Sequence, residues 1–171
     1  MASAPWSFLV PVMGAIHEPT EADPASRFAA TIRAMSSVPS ASPPFEQIVR
    51  VAADDLDERA HVNNVVYVRW IQQIAVAHWR AIAPPEDQAA IAWVVLRHEV
   101  DYSYPALRDD EIVLKTWVGA ASGLSFERHT EILRGGDRKL LARARTLWCP
   151  VDAKTGRPRR VGDQVRRLFS S

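Results

Sequence analysis

The sequence has few of the residues that would indicate a disulfide-linked fold, a metal site or a membrane segment. Its 171 residues include a single cysteine, Cys149, so no intrachain disulfide can form and a reducing compartment is expected. No apolar run approaches the roughly 20 residues that a membrane-spanning helix needs. The five histidines show no metal-ligand spacing, and no cofactor is expected. We therefore predict a cytoplasmic protein with neither a membrane span nor a bound metal.

The sequence also lacks a charge excess and a glycine-rich phosphate loop. Its formal net charge is +1, which gives no electrostatic reason to expect a nucleic-acid partner. No glycine-rich segment precedes a helical pattern, and this argues against Rossmann and P-loop enzymes. The segment G-A-A-S-G at 119–123 places its serine one position too late for the G-x-S-x-G motif, and it lies in a predicted turn. A serine hydrolase is therefore not expected.

The chain that is present divides into two segments of different composition. Residues 1–44 hold seven of the twelve prolines and predict a poorly ordered N-terminal extension with a weak helix near residues 26–35. Residues 45–171 carry regular apolar patterns and form the predicted domain. The length of the chain suits one domain with a substantial core.

The apolar pattern after residue 45 predicts one strand, one long helix and then four strands. The helix covers residues 64–83 and ends at two prolines. Because most of its residues are apolar, we expect other structure around most of its circumference. The predicted strands are residues 47–53, 92–104, 111–121, 125–134 and 139–150, and a short last helix is predicted at 162–169. One buried helix against a curved antiparallel sheet is an α+β architecture.

The segment D-D-L-D-E-R-A-H-V-N-N, residues 54–64, places many polar groups directly before this apolar helix. Asp and Asn are preferred N-cap residues, so capping is the simplest interpretation. A helix N-terminus also offers unpaired N–H groups and partial positive charge, which an oxyanion site requires. The amides of Asn63 to Val66 would be the donors, and Asp57 could activate water or attack a carbonyl group. The residues alone leave both interpretations open.

A longer string that includes this segment resembles a known family. D-L-D-E-R-A-H-V-N-N-V-V-Y-V-R-W, residues 55–70, resembles the active-site loop and central-helix start of hotdog-fold acyl thioesterases. The similarity is to the 4-hydroxybenzoyl-CoA thioesterase-like group and the related acyl-ACP thioesterases. Residues 98–106 and 142–158 agree in order and spacing. The resemblance implies a hotdog fold, in which a five-stranded antiparallel sheet wraps one long central helix, and the hydrolysis of acyl thioesters.

The resemblance also implies which residues form the active site. It places the catalytic carboxylate at Asp57 and adds His61 and Asn64 to the catalytic set. The sequence departs from its relatives at Arg59, where acyl-ACP thioesterases carry asparagine, and at Ala60, where bacterial acyl-CoA thioesterases commonly carry glycine. The predicted helix contains no acidic residue, which favours a loop aspartate over the hotdog design that uses a glutamate within the helix.

The expected substrate is an acyl thioester of CoA or of acyl carrier protein. Because CoA carries phosphates, Arg59 and Arg128 are predicted to contact it, although arginines at such positions are also typical of a solvated surface. The acyl chain is predicted to run along the helix, although apolar residues at this spacing are also typical of a core. Its predicted contacts are Val65, Tyr67, Trp70 and Ile71.

The resemblance further implies a homodimer or a dimer of dimers, with sheets joined edge to edge. Such pairing would also protect a long edge strand from aggregation. Two other functions stay open: a hotdog enoyl-CoA hydratase or dehydratase, which would use Asp57 and His61 as an acid–base pair, and a protein that binds acyl thioesters without catalysis. The departures at Arg59 and Ala60 keep the non-catalytic alternative open.

Overall fold

The structure contains five strands and one long helix in the predicted order. This computed structural model describes residues 43–169, so the predicted N-terminal extension lies outside the described residues except for its last two prolines. The elements are β1 (Phe45–Arg50), α1 (Asn64–Ile82), α2 (Pro85–Ala90), β2 (Ile91–Tyr102), β3 (Glu111–Ser122), β4 (Ser125–Arg134), β5 (Leu140–Asp152) and α3 (Asp163–Leu168).

The five strands form one antiparallel sheet in the order β1-β3-β4-β5-β2. The strands β3, β4 and β5 follow one another in the chain and in the sheet, because short turns join them. One of these turns contains Gly123 at a φ of +59°, a conformation that favours glycine. The first two strands are the edges, and the chain between them crosses one face of the sheet as α1.

Helix α1 buries one face against this sheet. Its buried residues are Val66, Tyr67, Trp70, Ile71, Ile74, Ala75 and Trp79. They recur at helical spacing, and each half of the helix anchors its own apolar cluster. The opposite side of the helix is open in the single chain, where Val65 is 73% exposed. The prediction that other structure surrounds most of the helix is therefore wrong for the isolated chain, although the α+β class and the single central helix are as predicted.

Helix α1 is followed by a short helix, α2, that the sequence pattern did not predict. Pro84 and Pro85 end α1 as expected, but Pro85 is also the first residue of α2, a position that tolerates proline because its N–H would be unpaired there anyway. Gln88 in α2 then donates its side-chain N–H to the carbonyl oxygens of Ala83 and Arg80, at 2.7 and 3.2 Å. These bonds satisfy carbonyl groups that the end of α1 leaves unpaired.

Candidate active site

The loop before α1 folds into a tight hairpin that returns to the start of the helix. The backbone N–H of Asn63 donates to the carbonyl of Asp55 at 2.9 Å, and Leu56 pairs with Val62 one step farther from the helix. At the tip, the N–H of Asp57 donates to the carbonyl of His61 at 2.7 Å. Asp57 therefore lies two residues along the hairpin from Asp55, which is bonded to the N-terminal end of the helix. In an extended chain this corresponds to about 7 Å.

The carboxylate of Asp57 lies at the exposed tip of this hairpin. Its Oδ1 atom accepts the backbone N–H groups of Arg59 and His61 at 2.9 and 3.0 Å. The N–H of His61 is the main cause that lowers the pKa of Asp57 from its ordinary value, since hydrogen bonds to the charged form favour ionisation. The group is therefore a carboxylate at neutral pH, with Oδ1 held by the backbone.

Ala60 at the hairpin tip adopts the left-handed conformation, with a φ of +60°. Its N–H donates to the carbonyl of Asp57 at 3.0 Å and closes the turn. Glycine reaches this region at little cost, whereas a side chain with a Cβ does so at a cost of about 1–2 kcal/mol. The geometry explains why glycine would suit this position, and it shows that alanine retains the same turn here.

The start of α1 offers fewer free amides than the sequence predicted. Asn63 is the N-cap, and its Oδ1 atom accepts the N–H of Val65 at 3.1 Å. The N–H of Val66 donates to the Asn63 carbonyl, and that of Asn63 donates to Asp55. Three of the four predicted donors are thus already paired. Only the backbone N–H of Asn64 has no partner within residues 43–169, and the side chain of Asn64 is exposed beside it.

An acidic residue that was not among the predicted site residues is buried in this region. Asp55 is only 5% exposed, and its carboxylate accepts from Arg69 of α1 at 2.5 Å and from the N–H of Ala52 at 3.0 Å. This ion pair ties the hairpin to the first turns of the helix. Residues 54–58 include four acidic side chains. The available signal was the basic Arg69 on α1, which could pair with one of them.

Three of the four residues predicted to line the acyl chain are core residues in this structure. Tyr67 and Trp70 are each 2% exposed and Ile71 is fully buried. The Tyr67 hydroxyl accepts the backbone N–H of Ala106 at 2.8 Å, so it anchors the loop that follows β2. These side chains pack in the core of the single chain, and their contact with an acyl chain stays a prediction. Val65, in contrast, lies exposed next to Asn64.

The two arginines predicted to contact CoA differ in position. The side chain of Arg59 is exposed at the hairpin tip. Arg128 is only 6% exposed and lies on the inner face of β4, where its Nη1 atom contacts His78 of α1 at 3.0 Å. The alternation of β4 turns Arg128 towards the helix, and its predicted contact with a phosphate of CoA stays a prediction.

Two further properties concern metals and membranes. Among residues 43–169, no group of three or more His, Cys, Asp or Glu side chains could hold a metal ion. No helix in that part of the chain is long and apolar enough to cross a membrane.

The fold matches solved structures of thioesterases. A Thermus thermophilus thioesterase complexed with coenzyme A and Zn has a TM-score of 0.67 and 23% identity, over 76% of this chain and all of the other. A 1,4-dihydroxy-2-naphthoyl-CoA thioesterase from Synechocystis has a TM-score of 0.64 and 16% identity, over 74% and 95%. The 12:0-ACP thioesterase of Umbellularia californica has a TM-score of 0.63 and 17% identity, over 73% and 49%. The sheet and helix thus form a hotdog fold, as the sequence resemblance implied.

The sequence itself identifies the family. The thioesterase-like superfamily matches residues 51–169, and the chain therefore belongs to this superfamily. A search of curated protein sequences finds no match. Membership confirms the resemblance seen in the motif and the prediction of a thioester hydrolase, while the individual site residues remain predictions.

Proposed function

We propose that the protein hydrolyses acyl thioesters of CoA or acyl carrier protein at the junction of the 55–63 hairpin and the start of α1. The observation that carries this proposal is the presence of two groups at this junction: an ionised Asp57, which is held on the hairpin by two backbone N–H groups, and the backbone N–H of Asn64 at the helix start, which has no partner among residues 43–169. One group supplies the base or nucleophile, and the other supplies a donor for negative charge.

In the proposed reaction, Asp57 either removes a proton from water or attacks the thioester carbonyl itself. In both cases the carbonyl oxygen becomes negative in the transition state, and the Asn64 N–H at the positive helix end stabilises it. If Asp57 activates water, the hydroxyl group adds to the carbonyl carbon, the C–S bond breaks, and the acid and the protonated thiol leave. If Asp57 attacks, the C–S bond breaks to release the thiol and leaves the acyl group on Asp57 as a mixed anhydride, which water then hydrolyses to release the acid and restore the carboxylate. His61 and the Asn64 side chain, both exposed beside the junction, complete the proposed polar set.

The carrier is proposed from charge and from the similar structures. The exposed Arg59 lies two residues from Asp57 and is placed to meet a phosphate of the carrier. One similar structure holds coenzyme A and another is an acyl-ACP thioesterase, which supports the two candidate carriers. We keep the cytoplasmic location as a prediction from the sequence.

We also propose that the working unit is a homodimer, or a dimer of dimers. The catalytic junction is open in the single chain, and the apolar Val65 beside it is 73% exposed. The edge strand β2 also presents Val94 and Leu96, which are 48% and 60% exposed. A second copy that covers these residues would give the acyl chain an apolar wall, which the core residues of the single chain do not provide.

The test is thiol release from a panel of acyl-CoAs of different chain length and from acyl carrier protein thioesters, with sedimentation to measure the oligomer. We expect hydrolysis of at least one carrier class by a dimer or tetramer. Water addition to an enoyl-CoA without thiol release would replace the proposal with the hydratase alternative. Tight acyl-CoA binding without turnover across the panel would replace it with the non-catalytic alternative.

A further inference from the structure

A cavity lies at the far end of α1 from the proposed catalytic junction. Its walls are mainly aromatic and include Trp79, Trp93, Phe126, Trp148 and Phe169, with Arg128 among them. The helical residues that line it follow Asn64 by 11 to 15 positions, which corresponds to roughly 16 to 22 Å along the helix. The cavity is therefore separate from the proposed thioester site. The space between its walls, together with open solvent at its mouth, is about 430 Å³.

The buried arginine in this cavity has no anionic partner within the described residues. Arg128 makes its hydrogen bonds through Nη1, which donates to Nδ1 of His78 at 3.0 Å and to the Thr116 hydroxyl at 3.3 Å. Its guanidinium carbon also lies 5.8 Å from the centroid of the Phe169 ring, a cation–π contact that supplies no negative charge. The neighbouring Glu127 directs its carboxylate to Arg145 and His129 instead. Burial lowers the pKa of Arg128 to about 10, so the guanidinium remains charged at neutral pH. A buried charge without a counterion is costly and rare in folded proteins.

Two indole groups of the cavity wall also have unused donors. The Nε1 atoms of Trp93 and Trp148 are buried and have no hydrogen-bond partner within the described part of the chain. Most buried polar groups in proteins are hydrogen-bonded, so each exception calls for an explanation. The cavity region thus combines apolar walls with a cation and unpaired N–H groups, and all of these unsatisfied groups are donors.

We propose that this cavity binds a small aromatic monocarboxylate, with the carboxylate on Arg128 and the ring between the aromatic walls. A carboxylate supplies acceptors and the missing negative charge, and a charge-assisted hydrogen bond to guanidinium is among the strongest that proteins form. Aromatic rings pack favourably edge-to-face against Trp and Phe side chains. This binding does not depend on thioester hydrolysis.

The test is isothermal titration of the full-length protein with benzoate and with benzyl alcohol, which has a similar shape and no charge. We expect benzoate to bind at least about tenfold more tightly, which is the ordinary worth of a hydrogen bond to a charged group. Equal affinity for both, or no binding of benzoate, would overturn the proposal. This comparison uses the wild-type protein and needs no variant to fold.

Two variants separate a ligand-binding arginine from a structural one. Arg128→Met keeps much of the side-chain volume and removes the charge, and it should weaken benzoate binding at least about tenfold while the Tm does not fall. Arg143→Met, on the neighbouring strand, is the matched control and should leave benzoate binding unchanged. Saturating benzoate should raise the Tm of the wild type and of the control only. Unchanged benzoate affinity in Arg128→Met would contradict the assignment.

Discussion

The Oδ1 atom of Asp57 accepts the backbone N–H of His61 at 3.0 Å, across the tip of the 55–63 hairpin. The same oxygen accepts the N–H of Arg59, so the catalytic candidate also holds the turn together. An asparagine at this position can accept both N–H groups through its own Oδ1 but carries no charge. Substitution by asparagine can therefore separate chemistry from loop geometry, whereas alanine would remove both.

The first prediction concerns catalysis by Asp57. In Asp57→Asn, thiol release from the best acyl-CoA should fall at least about 100-fold, as expected when a general base or nucleophile is lost. The thermal unfolding midpoint should change little. The exposed Asp54 is three residues away, and Asp54→Asn is the control that should retain activity. If Asp57→Asn turns over at the wild-type rate, Asp57 has no part in the mechanism.

The second prediction concerns the strained turn. Ala60→Gly should stabilise the protein by about 1 kcal/mol, because glycine adopts the observed positive φ without the steric cost of a Cβ. Urea unfolding measures the change. The equivalent change at the exposed helical residue Ala81, where φ is not positive, should destabilise the protein by a similar amount. A loss of stability in Ala60→Gly would argue against the left-handed conformation.

The third prediction concerns the ion pair between the hairpin and the helix. Arg69→Met leaves the buried Asp55 carboxylate with only the Ala52 N–H, and the free energy of unfolding should fall by about 2 kcal/mol. The cost is moderate because Arg69 itself is largely exposed. Combining Arg69→Met with Asp55→Asn should cost less than the sum of the single changes, since the charge and its partner are then removed together. Additive losses would show that the two groups do not interact.

The fourth prediction concerns the hydroxyl of Tyr67. Tyr67→Phe should lower the free energy of unfolding by about 1–2 kcal/mol, because the buried N–H of Ala106 loses its acceptor. The KM for acyl-CoA should not change, since the ring packs in the core. Tyr104→Phe, at a half-exposed position, should change stability by less than about 0.5 kcal/mol. A raised KM with unchanged stability would instead support the original prediction that Tyr67 contacts substrate.

The fifth prediction concerns pH. Burial, together with the neighbouring charge of Arg128, lowers the pKa of His78 from 6.5 to about 4. Between these pH values the unfolded chain binds a proton at this residue and the folded chain does not, so stability falls as the pH is lowered through this window. The variant His78→Gln retains an acceptor for Arg128 but does not titrate. Between pH 7 and pH 4 its free energy of unfolding should fall by about 1–2 kcal/mol less than that of the wild type, after allowance for partial exposure. If the free energy of unfolding changes with pH in the same way in both proteins, His78 is not the source of the pH dependence.

The fold could be predicted to within a few residues because its elements carry strong local signals. The spacing of the apolar residues predicted a helix at 64–83, which is one residue longer than the observed α1. The predicted bounds of β4 agree with the observed ones. Helix α2 was missed because two adjacent prolines indicate the end of a helix, although a proline at the first position and Glu86 and Asp87 in the first turn also suit a helix start. The side-chain bonds from Gln88 to the end of α1 could not be predicted, because they depend on where the chain returns in space.

The candidate site could be predicted less completely. The motif indicated a polar loop at a helix start, and the structure does place Asp57, His61 and Asn64 around one hairpin. It could not indicate that Asp55 rather than Asp57 is buried, since both belong to the same short acidic string. The predicted supply of free amides was also too large, because a cap and a hairpin use the same donors as an oxyanion site.

The sequence by itself determined the class of fold, the position of the central helix and the family, because apolar period and a short motif are local properties of the chain. Only the tertiary structure decided which polar side chain meets which partner. Arg128 illustrates the difference, since its place in a strand was legible but the face it occupies depends on the register of the sheet against α1. Packing of the sheet on α1 places Arg128, predicted as a phosphate contact, on the face that meets the helix. There it lies beside aromatic rings and has no counterion among the described residues.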